Sequence, residues 1–470
     1  MKMMKTMIRR FQSTILVMLI ALTAKASAGD TFTAVTEEGV VVTFSVTDEE
    51  NKTCQVGTGT ESCVSPDTHG SLTILRYANG YEVTAIAPSA FLDCTHLTAV
   101  SLPDGITEIG FQAFSYCKSL EGIDLPDGLR RICAEAFIYS GIQEIRIPAG
   151  VTVIEGTPFP HVSVLTVADD NPVFCSPEGS NALIERATSM LVAGCGSTVI
   201  PQGVTAIGPF AFNHCMLNTI AIPESVTEIG TDAFYHSYLE SIEIPHTVSN
   251  IGAHAFGNCG ALKSVVLHEG TVSIGARCFR NCKSLQSVSL PMSIRSLGRD
   301  VFQSCLALEE ISIPEGVEEI PTAAFAGCTA LCAIRLPESI KRIGEMAFYL
   351  CESLDSISLP SGLEEMGRAV FGDKPLSVYR LFCETPPTVD ETTFMGNYES
   401  KLYVPEGTAG TYKATDIWKN FKDIVEFNTD RINDIGTQVR QESIHDLQGR
   451  RLISPPERGV YIQNGKKYVK

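Results

Sequence analysis

The sequence predicts a repeat solenoid: a stack of units about 23 residues long with a parallel β-sheet, short helical turns, a β-type N-terminal cap and a helical C-terminal lid. Three observations predict it. Cys259, Cys282, Cys305, Cys328 and Cys351 recur every 23 residues, a period that marks stacked repeats. Each unit carries two apolar patches that it cannot bury alone, so neighbours must cover one another. The first patch alternates apolar with polar residues, the spacing of a strand with one buried face.

One unit shows the logic. Leu308, Ile311 and Ile313 form the strand patch, and Pro314 stops it because proline has no N–H for a central ladder. Glu315-Gly316 turns the chain. Val317, Ile320, Ala324 and Phe325, with Cys328 behind them, read as a short extended piece followed by a tight helical turn.

The full unit, Ile-Pro-x-x-Val-x-x-Ile-Gly-x-x-Ala-Phe-x-x-Cys-x-x-Leu, resembles the BspA-like leucine-rich repeat family of surface proteins of Bacteroidetes and other bacteria, over roughly 83–426. The resemblance implies a right-handed, leucine-rich-repeat-like stack displayed outside the cell. It also implies a role in attachment to host extracellular matrix proteins or to another bacterial surface.

Residues 1–28 read as a cleaved secretory signal. Lys2, Lys5, Arg9 and Arg10 precede the apolar run Ile15 to Leu22, and Ala26-Ser27-Ala28 offers small residues for cleavage. The run is too short to span a bilayer, and the mature chain is expected to carry no transmembrane anchor. Residues 29–82 depart from the repeat. Val40 to Val46 and Leu72 to Tyr77 read as strands, with Asn79-Gly80 as a hairpin turn, so this segment is expected to cap the stack.

The solenoid then occupies 83–426. Leu129 to Gly150 is one residue short. A variant rung fills about 151–203: Ala182-Leu-Ile-Glu185 and Met190-Leu-Val-Ala193 flank a polar turn and predict a hairpin. Similar insertions, with Asn-Pro-Val and Asn-Ala-Leu-Ile-Glu, occur in related gut-bacterial repeat proteins. Asp169, Asp170 and Asn171 lack the spacing of a calcium loop and read as a turn. Thr411 to Phe427, with Tyr412, Trp418, Phe421, Ile424 and Val425, predicts an amphipathic helix at about 411–427 as the C-terminal lid; docking aromatics are the other reading. The tail, 427–470, is basic. It resembles a shortened C-terminal sorting signal of the type IX secretion pathway, and a small β module finishing the chain is the alternative.

The formal net charge is −18, unevenly spread: residues 29–430 hold 23 Lys/Arg against 50 Asp/Glu, and 431–470 hold eight against four. An acidic body argues against nucleic acid as a partner. Of 16 cysteines, Cys94, Cys117, Cys215, Cys259, Cys282, Cys305, Cys328 and Cys351 occupy the third position after the repeat Phe, a slot that Ser140 and Ser237 also fill. A slot that takes Ser or Cys wants a small buried side chain, which predicts a ladder of free thiols. Cys54 and Cys63 flank a polar loop in the cap, and two readings stand: a disulfide closing the loop, or two more free thiols. No CxxC pair suggests a metal or redox site.

No nucleophile elbow, P-loop, His-Glu-x-x-His or Gly-x-Gly-x-x-Gly is present, so a non-catalytic protein without a cofactor is expected. His214 and His236 fall at equal positions in adjacent rungs, but no third ligand type recurs there. The acidic pairs Glu318-Glu319 and Glu364-Glu365 read as a solvated rim.

The surface left for recognition is the outward side of the strands. From Thr219 onward it is small and hydroxyl-rich, and Ser241, Ser264, Ser287, Ser289, Ser312, Arg335, Ser356, Ser358 and Arg380 form the candidate binding face. Small residues let a partner approach over several rungs; crowding between neighbouring strands favours the same residues. The expected partner is a protein or a glycan outside the cell, or at its surface. The other reading is a structural envelope scaffold without a specific ligand.

Overall fold

A computed structural model describes residues 27–372, 374–428 and, in the tail, 444–446, 451–452, 460–463 and 466–469. The secretory signal falls on residues that, up to 26, lie outside the described ones. The chain forms two compact units, Met1–Pro158 and Phe159–Lys470.

In the first unit the cap is a β-structure. Thr31–Val35 pairs antiparallel with Val41–Asp48, which pairs antiparallel with Thr53–Val56. Thr53–Val56 then runs parallel to Tyr81–Ile86, the first strand of the stack. Asn79-Gly80 does make the hairpin between Tyr77–Ala78 and Tyr81–Ile86, with φ of 49° and 85°, the left-handed pair that a tight two-residue turn demands. The parallel ladder continues through Glu108–Ile109, Arg131–Ile132 and Val153–Ile154. A second sheet joins Gly70–Thr73, Leu97–Ser101 and Gly122–Asp124.

Two parallel ladders therefore exist where the sequence predicts one. The extended piece that ends in Ile, such as Glu228–Ile229 or Arg342–Ile343, pairs with its equivalents in neighbouring rungs. A two-residue strand has too little alternation to read from sequence, and stacking alone reveals it.

The second unit opens with the antiparallel strands Phe174–Cys175, Leu183–Glu185 and Met190–Ala193, so the inserted hairpin is present. Asn171 accepts the N–H groups of Val173 and Phe174 at 2.9 and 2.8 Å, which fixes the turn before them. Met190–Ala193 then starts a parallel run through Ala206–Ile207, Glu228–Ile229, Asn250–Ile251, Ser273–Ile274 and Ser296–Leu297. The longer strands form separate sheets: Ser241–Ile244 with Ser264–Leu267 and Ser287–Ser289; Glu310–Ser312 with Ala333–Arg335; Ser356–Leu359 with Val378–Leu381, Lys401–Pro405 and Asp423–Phe427.

The expected helical turns are not helices. Each places two residues at positive φ, for example His254 at 56° and Asn258 at 58°, and this breaks the helix at both ends. The backbone bonds outward instead. The N–H groups of His254, Phe256 and Asn258 donate to the carbonyls of Ala276, Cys278 and Arg280 in the next rung, while the carbonyls of Ala253, Ala255 and Gly257 accept from the rung before. The repeat Ile-Gly has a steric cause: a Cβ on Gly275 would lie 2.5 Å from the backbone nitrogen of Ala253.

Inside, the Phe rings stack. Phe212, Phe234, Phe256, Phe279, Phe302, Phe325 and Phe348 follow one another at 5.0–5.7 Å between centroids, with neighbouring planes 3–12° apart. Beside them lie the cysteines, all free. The thiols of Cys282, Cys305, Cys328 and Cys351 donate to the carbonyls of Phe256, Phe279, Phe302 and Phe325 at 3.1–3.2 Å. Ser237 fills the slot with its hydroxyl 3.2 Å from the Cys259 sulfur. Burial pushes these thiols above their ordinary range, Cys259 to about 11 and Cys328 to about 12.

The disulfide considered for Cys54 and Cys63 is not formed; both are free and buried. Cys54 is locked in register opposite Val46 and Val83. The backbone of Cys63 is bonded to Thr43 and Ala90, and burial, with Cys94 and Cys117 nearby, pushes its thiol well above the ordinary range.

The lid is only partly helical. Ala409–Ala414 is a helix and Trp418–Asn420 a single 3-10 turn, but Asp423–Phe427 is a strand. It pairs parallel with Lys401–Pro405, covering a strand edge that would otherwise stay open. Tyr412, Trp418 and Phe421 are buried, and the Trp418 indole N–H donates to the Pro387 carbonyl at 2.9 Å. These aromatics seal the core and do not dock a partner. In the tail, Ile444–Asp446, Arg451–Leu452, Val460–Gln463 and Lys466–Val469 form an antiparallel sheet.

Candidate binding face

The predicted outward columns exist. Ser241, Ser264 and Ser287 are in register, as are Val266 with Ser289, Ser312 with Arg335, Ser356 with Val378, and Ser358 with Arg380. They are not equally available. Ser241, Ser289, Ser312, Arg335 and Ser358 are exposed, whereas Ser287, Ser356 and Arg380 are half-buried. Ser264 is buried, at 9% exposure, although it still contributes to the lining of the groove described next. Arg380 lies over the Tyr403 ring at 5.8 Å, so its guanidinium already has a partner.

A groove of about 890 Å³ lies on the outward face, along the sheet that starts at Ser241–Ile244 and the segment before it. Its lining runs over successive rungs: Thr219–Ala221 and Ile222, then Glu240, Ser241 and Glu243, then Lys263, Val266 and His268, then Ser287. Thr219 to Ile222 forms no strand. Glu240 N–H still bonds the Asn218 carbonyl at 3.2 Å, but Ser241–Ile244 is the edge of its sheet.

The groove coincides with a defect in the repeat. Leu217 and Leu239 follow the small-residue slot by two residues, where Leu262, Leu285 and Leu308 follow by three. The two short rungs lack the extra turn bond, such as Leu262 N–H to the Cys259 carbonyl, made by the longer ones. They present Met216 and Tyr238 to solvent at 58% and 48% exposure. The sequence carries this signal as a 22-residue spacing from Cys215 to Ser237 to Cys259. Reading for the period alone passes over it.

Exposed ion pairs frame the groove: His246 with Glu224 at 2.9 Å, Lys263 with Glu240 at 2.8 Å and His268 with Glu243 at 2.6 Å. The bond from Lys263 lowers the Glu240 pKa. Elsewhere the acidic pairs form cross-rung bridges, Glu318 with Lys341 at 3.2 Å and Glu319 with Arg342 at 3.0 Å.

His214 and His236 do meet, with ring centroids 4.7 Å apart and planes at 29°. Stacked faces turn the ring edges, where the nitrogen lone pairs lie, sideways rather than toward one ion. Among the described residues no group of three or more His, Cys, Asp or Glu is placed to hold a metal. No helix among them is long and apolar enough to cross a membrane.

The sequence matches the family model described as BspA type leucine rich repeat region (6 copies) over residues 71–169, 193–306 and 272–400. Among solved structures it is similar to a leucine-rich repeat protein from Eubacterium ventriosum, with a TM-score of 0.50 and 20% identity over 73% of this chain and 95% of that one. It is also similar to a leucine-rich repeat protein from Bacteroides ovatus, with a TM-score of 0.47 and 23% identity over 82% and 98% of the two chains. A leucine rich cell surface protein from Faecalibacterium prausnitzii gives a TM-score of 0.43 and 24% identity over 83% and 98%. No curated protein matches. With repeat, stack and family model in agreement, the chain belongs to the BspA-type leucine-rich repeat family.

Proposed function

We propose that the protein is an exported, non-catalytic binding protein that holds an extracellular partner on the outward sheet face of its second unit. The observation that carries this reading is the groove at Thr219–Ser287, beside the open edge of the sheet that starts at Ser241–Ile244. Its walls mix hydroxyl, charged and half-buried apolar groups, the composition of a recognition surface. Export is supported by the charged, apolar and small-residue segments of residues 1–28. An adhesive role, toward host matrix or another bacterial surface, extends what family resemblance implies.

Ser241→Arg tests the groove, because Ser241 is exposed and its replacement fills the space without entering the core. Ser289→Arg, Ser312→Arg and Ser358→Arg together test the rest of the face. On a panel of matrix proteins and glycans, the single variant is expected to abolish binding while thermal unfolding stays unchanged, and the triple variant to retain it. Retention by the single variant and loss by the triple one would move the site out of the groove. Weak binding that every variant retains and that salt removes would favour an envelope scaffold without a specific ligand.

A further inference from the structure

We propose that the groove takes an extended polypeptide segment carrying lysine or arginine side chains. This rests on the groove being the binding site and adds the chemistry of its occupant. Three carboxylates border it, Glu224, Glu240 and Glu243, with side chains 65%, 62% and 72% exposed. Their partners are His246, Lys263 and His268. Lys263 is the one lysine or arginine among the groove's lining residues, against these three carboxylates. The surplus is negative, and it sits on a body, residues 29–430, that itself holds 23 Lys/Arg against 50 Asp/Glu. Such a field draws in cationic segments and repels acidic ones.

The lining suits basic side chains in a second way. Ile220, Ile222 and Val266 are half-buried, an apolar floor on which the methylene stem of Lys or Arg can lie while its charged head reaches a rim carboxylate. The dimensions fit an extended chain. The lining comes from four successive rungs, about 14 Å at ~4.8 Å per rung, the length of roughly four residues of strand. Met216 and Tyr238, two or three residues ahead of the lining segments, add exposed apolar surface close to them in the chain.

The test uses the full chain and three synthetic peptides of one length, with Ser/Thr spacers and Lys, Gln or Glu at alternate positions, followed by fluorescence anisotropy at physiological salt. The Lys peptide is expected to bind at least tenfold more tightly than the other two. Glu240→Gln with Glu243→Gln should weaken it about three- to tenfold, the range for two exposed ion pairs. Lys263→Gln should tighten it a few-fold, a gain that misfolding does not produce. Ser241→Arg should abolish it. If the Gln peptide binds as well as the Lys peptide and Ser241→Arg blocks both, the cationic preference is overturned and the groove reading stands. If the Lys peptide binds and neither Ser241→Arg nor the carboxylate variants alter it, bulk attraction to the acidic surface explains the result and both readings fall. If none binds, the peptide proposal is overturned, and the matrix and glycan panel decides the groove.

Discussion

The inner Phe column and the outward sheet of the second unit are written by the same repeat, yet one is continuous and the other is not. The rings stack without a gap from Phe212 to Phe394. The outward strands break into three sheets, ending at Ser289, Arg335 and Phe427. The column is enclosed on every side, so each rung must fit its neighbours. The outward strands have one free face, and their register tolerates a lost residue. Loss of one residue before Leu217 and another before Leu239 left the column intact and coincides with the groove. Function has room where packing is least demanding.

The contrast can be broken most severely at Phe302, whose ring stacks 5.5 Å from both Phe279 and Phe325. Phe302→Ala should cost about 3–5 kcal/mol in chemical denaturation. Ser312→Arg, on the outward strand just after it, should change stability by less than about 0.5 kcal/mol. Equal effects would mean the two surfaces are not mechanically distinct. A smaller loss tests rung spacing. Gly275→Ala drives a Cβ against the backbone of Ala253 and should cost about 1–3 kcal/mol. At Gly260 nothing lies within 4 Å of the added atom, so Gly260→Ala should be close to neutral.

Half-buried His161 gives the chain a response to acid that the exposed outward residues do not. Burial, and His214 beside it, lower the His161 pKa from its ordinary value near 6.5 to about 4. The unfolded chain therefore binds this proton first. The stability contribution is whole above pH 6.5 and is lost as pH falls toward 4. His161→Gln should flatten that part of the pH–stability curve; an unchanged slope would show that the carboxylates alone set it. The smallest effect concerns thiol chemistry. Cys332 is exposed on the outward side, whereas Cys282, Cys305 and Cys351 are buried and held well above the ordinary thiol range by burial. Native alkylation at pH 8 should label Cys332 and leave those three unmodified, as read by mass spectrometry. Labelling of the column thiols at a similar rate would show that the stack opens locally.

Much of this fold was legible because the repeat states its core aloud. The 23-residue spacing placed the strands, the Phe turn and the thiol slot, and Ser in that slot announced a small buried side chain rather than a disulfide. Other features were not legible, for local reasons. Ile in Arg342–Ile343 joins a second ladder only because an identical neighbour lies beside it. The lid misled because Tyr412, Trp418, Phe421 and Ile424 fit helical spacing, whereas Asp423–Phe427 answered to an open strand edge. Ser264 looked equivalent to Ser241 by position, and its burial came from neighbours on both sides. The groove was present only as a one-residue shortfall in spacing.

The turn hydrogen bonds have an electrical consequence. From Phe212 the N–H groups of Phe234, Phe256, Phe279, Phe302, Phe325 and Phe348 each point to the following rung, and each accepting carbonyl belongs to the peptide that passes the bond on. Two flanking chains, through His254 and Asn258, run the same way. Peptide dipoles of about 3.5 D therefore add head to tail, whereas strand dipoles in a sheet largely cancel. The polarity is opposite to that of an α-helix: donors face the C-terminal direction, so positive potential accumulates there and negative potential at the start. Every rung gained by duplication lengthens this built-in field, and a long repeat protein becomes a polarised one without placing a single charged side chain.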